Sequence, residues 1–215
     1  EYYMRARPAE PALTFDQTPY AVPQRMVEIA PGRRLNLYCT GSGSPTVVLD
    51  LGFGAPLLSW GYVQPAVALT TRVCSYERAG YGFSDIGPIP RTTGAIVDDL
   101  HRLLTVAQIA PPYVIVGHSM AGLDAQLFAD RYPSEVGGMV LIDPFIEGWD
   151  ELVERTLPAA KAGDEAFVAS LARCELLARE GLLVSRSPGN RDCLPPPDPH
   201  FALPVQAARD ATKQR

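Results

Sequence analysis

Near the middle of the chain, Val114-Ile115-Val116-Gly117-His118-Ser119-Met120-Ala121-Gly122 sets a serine between an apolar run and the opening of a helical pattern. A serine at the apex of a strand-to-helix turn has its hydroxyl lifted above the sheet edge. The chain crosses itself so closely there that small residues are needed two before and two after the apex. Gly117 and Ala121 meet that need. The same corner aims the Met120 amide, helped by the helix N-terminus, at negative charge developing on the oxygen of an attacked carbonyl. The chemistry indicated is nucleophilic attack by Ser119 on an acyl carbon. The pattern G-x-S-x-[GA] is short, and its weight comes from the strand before it and the helix after it.

A serine nucleophile needs an imidazole within hydrogen-bond reach and a group to orient that imidazole. The chain has three histidines. His118 precedes the serine and is expected to point elsewhere, and His101 borders the apolar stripe of a helix. His200 follows Ser119 in the chain but sits in a Pro-rich loop with no strand leading in. Asp143 directly follows the run Gly138–Ile142, so its carboxylate is expected at the sheet edge near the serine; capping the loop before Pro144 is the other reading. Asp50 lies inside a strand motif and reads as structural.

The elements around these residues follow from hydrophobic periodicity. Met26–Ile29 and Leu35–Cys39 are short alternating runs separated by Pro31-Gly32, a strand–turn–strand signal. Thr46–Leu51 is a nearly continuous β-branched and apolar run, the mark of a strand buried on both faces. Arg72–Tyr76, Tyr113–Val116 and Gly138–Ile142 repeat it. Between them, residues 94–110 carry an i, i+3, i+4, i+7 stripe ended by Pro111-Pro112, and Met120–Arg131 reads as a second helix. Alternating strand and helix predicts an α/β fold, a mostly parallel sheet covered by helices, with its site at the carboxyl ends of the strands. After Ile142 the alternation stops. Residues 150–181 read as helices, with Asp164 as a cap, Phe167, Val168, Leu171 and Cys174 as a face, and Gly181 as the end. The organisation expected is an extended arm over 1–25, a core over 26–145, and a helical cap with a cleavable or disordered loop over 146–215.

Three stretches resemble the α/β-hydrolase family, in particular its cap-bearing esterase, haloperoxidase and dehalogenase branch. They are Val47-Val48-Leu49-Asp50-Leu51-Gly52-Phe53-Gly54, Tyr76-Glu77-Arg78-Ala79-Gly80-Tyr81-Gly82-Phe83-Ser84-Asp85 and the Ser119 corner, in the family's order and spacing. Leu51 replaces the histidine common before the first glycine, and Ala121 replaces the last glycine of the corner. The resemblance implies a serine hydrolase cleaving a carboxylic ester or related acyl bond through an acyl-enzyme on Ser119. It further implies Phe53 and Met120 amides as the oxyanion hole, Asp143 as the acid, as some haloalkane dehalogenases have it, and no cofactor or metal. Arg78, Ser84 and Asp85 are expected to buttress their loop, and Phe145, Trp149 and Phe167 to favour an apolar acyl or alcohol group. Relatives carry the base after the last strand. That leaves His200 as a weak candidate here and implies that the last strands and the histidine belong to a second polypeptide, cut from a longer precursor after a basic tail such as Lys213-Gln-Arg215 and paired through the sheet edge. A non-catalytic binding or scaffold protein is the alternative.

Composition narrows the classes further. In 215 residues, 24 acidic against 19 basic side chains leave a net charge of −5. An acidic surface without a Lys/Arg run repels phosphate backbones, which argues against a nucleic-acid partner. No apolar run approaches the roughly 20 residues that span a bilayer, and 47% hydrophobic residues place most of the chain outside the disordered class. The four cysteines, Cys39, Cys74, Cys174 and Cys193, form no CxxC and so no zinc pattern. A bridge between Cys174 and Cys193 would stabilise the loop-rich stretch between them by about 3 kcal/mol in the chain-entropy model. This favours an exported, oxidised protein over one with four buried thiols. The chain opens at Glu1 rather than Met, which leaves room for a leader, a tag or upstream sequence already removed, although nothing in residues 1–30 reads as a signal peptide.

Overall fold

The computed structural model describes residues 15–157, 161–182 and 193. Strands β1 (Arg25–Ala30) and β2 (Arg33–Thr40) form an antiparallel hairpin across the Pro31-Gly32 turn, where Gly32 takes a φ of 68°. β3 (Thr46–Asp50), β4 (Val73–Tyr76), β5 (Tyr113–His118) and β6 (Val136–Ile142) are mutually parallel, and the sheet order is β1-β2-β4-β3-β5-β6. β2 runs antiparallel to β4.

Each central strand shares its side chains between two cores. On one face Val48, Cys74 and Ile115 pack with Val97, Leu100, Leu103 and Leu104 of α2 (Thr93–Val106) and with Ala125 and Phe128 of α3 (Ala121–Arg131). On the other face Leu49, Val73 and Val116 pack with Trp60 and, less deeply, Val67. This two-sided burial is why the strands read as unbroken apolar runs rather than alternating ones. Thr92 caps α2, its hydroxyl accepting from the Ala95 amide.

Periodicity misses the crossover from β3 to β4. It is built from a 3-10 turn at Leu57–Trp60 and the five-residue helix α1 (Val63–Val67), both too short for a 3.6-residue stripe. Beyond β6 the chain forms α4 (Trp149–Thr156) and α5 (Lys161–Arg179), with Gly181 at a φ of 68° closing the latter. α5 begins ahead of Asp164, which therefore stands inside the first turn rather than capping it, and Phe167 and Val168 are exposed.

Two disulfides tie the chain. Cys174–Cys193 joins α5 to the following segment, and Cys39–Cys74 links β2 to β4 at positions directly opposite in the ladder. The second pairing follows from sheet order, which sequence spacing does not reveal. No helix among the described residues is long and apolar enough to cross a membrane.

β6 is an edge strand of unusual character. Among the described residues it pairs with β5 alone, yet its sequence is VGGMVLI, and Met139, Val140 and Ile142 are 41%, 48% and 41% exposed. A parallel strand of this composition ordinarily lies inside a sheet.

Candidate active site

β5 ends at His118, the chain turns at Ser119 with a φ of 55°, and α3 begins at Ala121. A left-handed backbone at a serine costs on the order of 1–3 kcal/mol and persists only where the surroundings over-determine it. Here the Ser119 amide donates to the Ile142 carbonyl at 3.1 Å, and the Ser119 carbonyl accepts from the Gly122 and Phe145 amides, each at 2.9 Å. A Cβ on Gly117 would stand 2.4 Å from the Ala121 carbonyl oxygen. The close chain crossing expected of this corner is therefore present.

β3 brings a second segment to the same place. Asp50 lies opposite Gly117 in the β3–β5 ladder, so Leu51-Gly52-Phe53 leaves the sheet beside Ser119. A Cβ on Gly52 would fall 2.9 Å from the Ser119 Cβ and 3.2 Å from His118 Nδ1. The loop touches the serine only because Gly52 has no side chain. Phe53 follows, half exposed, with its ring edge-on to Phe167 of α5 at 6.4 Å. The Gly54 amide reaches the Tyr81 hydroxyl at 3.4 Å.

Asp143 has a φ of 44° and is exposed. It lies between Ile142 and Phe145, both bonded to the Ser119 backbone, so its main chain runs alongside the serine turn. The histidines fare differently. His118 is adjacent to Ser119 and borders Gly52. His101 stacks on Tyr132 at 3.7 Å and pairs with Glu135 at 3.1 Å, just ahead of β6 and so at the opposite end of the sheet. His200 lies outside the described residues. Among the described residues, no three His, Cys, Asp or Glu side chains gather as a metal ion would require.

Beneath this corner is a buried ionic cluster that the residue reading did not assemble. Arg78, just past β4, donates from Nε and Nη2 to Asp50 Oδ1 at 3.1 and 2.8 Å, and from Nη2 to Asp124 Oδ2 at 2.8 Å. All three side chains are less than a tenth exposed. Asp50 and Arg78 read from sequence as structural and loop-supporting. The sequence signal for Asp124 is its place one turn from Phe128 on the buried stripe of α3, where a carboxylate is unusual. Burial raises the Asp50 carboxyl despite Arg78. Burial and the neighbouring Asp50 push Asp124 up to about 7. Burial works against the Arg78 charge, but the two carboxylates hold its pKa above the ordinary value. Asp50 Oδ2 and the Tyr76 hydroxyl lie near each other without a well-aligned hydrogen-bond partner. The expected loop support is also present: the Ser84 hydroxyl donates to the Glu77 carbonyl and accepts from the Asn36 amide, and Asp85 pairs with Arg34.

Known proteins share this architecture. Among solved structures, a thermophilic esterase from Thermogutta terrifontis is 26% identical with a TM-score of 0.55, over 73% of this chain and 53% of that one. A meta-cleavage product hydrolase from Pseudomonas fluorescens IP01 is 26% identical with a TM-score of 0.51, over 56% and 45% of the two chains. An AB hydrolase superfamily protein of Gibberella zeae is 30% identical over 103 residues, 46% of this chain and 32% of that protein. The chain spans well under half the length of the curated relatives it matches. Residues 45–194 match the family described by the alpha/beta hydrolase fold, which takes in β3 to β6, the serine corner and both helices beyond. With the parallel sheet and the left-handed serine at the end of its central strand, that match makes the chain a member of the alpha/beta hydrolase fold family.

Proposed function

We propose that this protein is a serine hydrolase that cleaves a carboxylic ester or related acyl bond through an acyl-enzyme on Ser119. One observation carries the reading: a serine held at positive φ between strand and helix, with Gly52 pressed against its Cβ. A strained serine against a glycine turn has a use in acyl transfer, because it brings two main-chain amides, Phe53 and Met120, to the side where an oxyanion forms. A donor of this kind is worth about 3–4 kcal/mol of barrier. Ser119 attacks the acyl carbon, an imidazole takes its proton and returns it to the leaving group, and water then releases the acyl group. Asp143, whose backbone flanks the serine turn, is the acid in this reading. Phe53, Phe145, Trp149 and Phe167 favour an apolar acyl or alcohol group; Phe145 and Trp149 lie 5.1 Å apart.

The imidazole is assigned to a second polypeptide that continues the sheet. The exposed apolar edge at β6 supports this, since a further parallel strand would cover it. The two disulfides support an oxidising, exported location. The competing reading, a non-catalytic binding or scaffold protein, draws on one fact: among the described residues, the imidazole beside Ser119 is that of His118, the last residue of the strand before it. A fluorophosphonate probe separates the two, applied to the protein with any polypeptide that co-purifies. Stoichiometric labelling of Ser119, abolished in Ser119→Ala, is the expected result. No labelling would leave the scaffold reading.

A further inference from the structure

The two carboxylates of the buried cluster stand on the two segments that carry the expected oxyanion amides. Asp50 ends β3, three residues before Phe53, and Asp124 lies in the first turn of α3, four residues after Met120. One nitrogen of Arg78, Nη2, donates to both carboxylates at 2.8 Å. Resting on the serine-hydrolase reading above, we propose that Arg78 is a positioning residue that sets the spacing of the Phe53 and Met120 amides by clamping the end of β3 to the start of α3.

Stability alone is a poor account of this arrangement. A buried ion pair can often be replaced by apolar residues without loss. Here two carboxylates face one guanidinium, so the cluster holds either an extra negative charge or an extra proton. One of its oxygens, Asp50 Oδ2, and the neighbouring Tyr76 hydroxyl also lack well-aligned partners. A guanidinium does supply direction: a rigid planar fork that fixes the groups it binds relative to each other. Without it, the two segments meet at the last rung of the β3–β5 ladder, Asp50 opposite Gly117, and at the Gly52–Ser119 touch. A misplacement of about 1 Å at a reacting centre can lower the rate a hundredfold. The clamp joins the two segments that carry these amides, Asp50 on one and Asp124 on the other, as a pre-set oxyanion site requires.

The test compares the parent with Arg78→Lys and with a charge-neutral triple variant, Asp50→Asn/Arg78→Met/Asp124→Asn. The triple variant removes the bridge without leaving a buried charge unpaired. Amide hydrogen exchange is followed by mass spectrometry, and kcat and KM are measured on p-nitrophenyl acetate with the protein and any co-purifying polypeptide. The expected result is a folded triple variant in which exchange over 51–54 and 119–121 quickens at least tenfold while α2 stays within twofold. Its kcat falls at least tenfold with KM within twofold. Arg78→Lys, whose ammonium is a point charge without the planar fork, does not restore kcat. Unchanged exchange in those two segments, uniform acceleration across the protein, kcat retained despite faster exchange, or a triple variant that fails to fold would each overturn the proposal. A parent that neither turns over the ester nor labels at Ser119 would remove the serine-hydrolase reading, and the exchange result would still decide whether Arg78 holds the two segments.

Discussion

At the scale of single residues, the site depends on side chains that are missing. Gly52, Gly117 and Gly122 are glycines around Ser119 whose neighbours leave no room for a Cβ. Gly52→Ala would press a methyl group to within 2.9 Å of the Ser119 Cβ, moving the Phe53 amide away from the serine. Under the serine-hydrolase reading, ester turnover should fall about a hundredfold or more, as for loss of one oxyanion donor. Stability should fall only by about 1–3 kcal/mol, as for overpacking. Steady-state kinetics beside thermal unfolding checks this, and a variant with parental kcat would show that the Phe53 amide plays no part. The need for Gly117 was legible in the sequence, because the spacing of small residues around a serine belongs to the local turn. The contact of Gly52 with Ser119 was not, because it joins residues 67 positions apart through the pairing of β3 with β5.

At the scale of elements, charges and cross-links bind strands that periodicity treats separately. Burial and Asp50 push the Asp124 carboxyl up to about 7, whereas an unfolded aspartate titrates near 3.9. Between those values the folded state holds the extra proton, so this group lowers stability as pH rises from about 4 to about 7 and adds nothing further above that. Asp124→Asn removes the titration. Its melting temperature relative to the parent should therefore climb between pH 5 and pH 8; parallel curves for the two proteins would refute the assignment. The Cys39–Cys74 bridge closes a loop spanning 35 positions between neighbouring strands. Replacing both cysteines by alanine should destabilise the sheet by about 3–4 kcal/mol in the chain-entropy model, read from denaturant unfolding. The helices α2 and α3 were predictable because each carries its own apolar stripe. The short crossover through α1 and the Arg78 cluster were not, since neither leaves a periodic trace.

At the scale of the whole molecule, the sheet among the described residues ends at β6, a strand whose apolar side chains are exposed. Met139, Val140 and Ile142 give β6 an apolar exposure that edge strands ordinarily limit with charge or proline, and the one irregularity in its pairing with β5 lies at Gly137. In the reading above, a second polypeptide continues the sheet there. Val140→Lys with Ile142→Lys should then abolish its co-purification, as intact mass under denaturing conditions would record, while the chain itself gains solubility. Retention of the second species by that variant would move the contact elsewhere. α5 is less committed to the core: its Phe167 and Val168 remain exposed, and the Phe53–Phe167 contact joins it to the loop beside Ser119.

The amino-acid order was enough to establish the strand-and-helix alternation, the two-sided burial of the central strands and the serine corner. Each of these is local, since it follows from side-chain period or from the sterics of one turn. Sheet order, the Cys39–Cys74 pairing, the press of Gly52 on Ser119 and the seating of Arg78 between two carboxylates emerged only with the folded chain. They join distant segments whose approach is set by which strands lie side by side, and no single stretch of sequence encodes that choice.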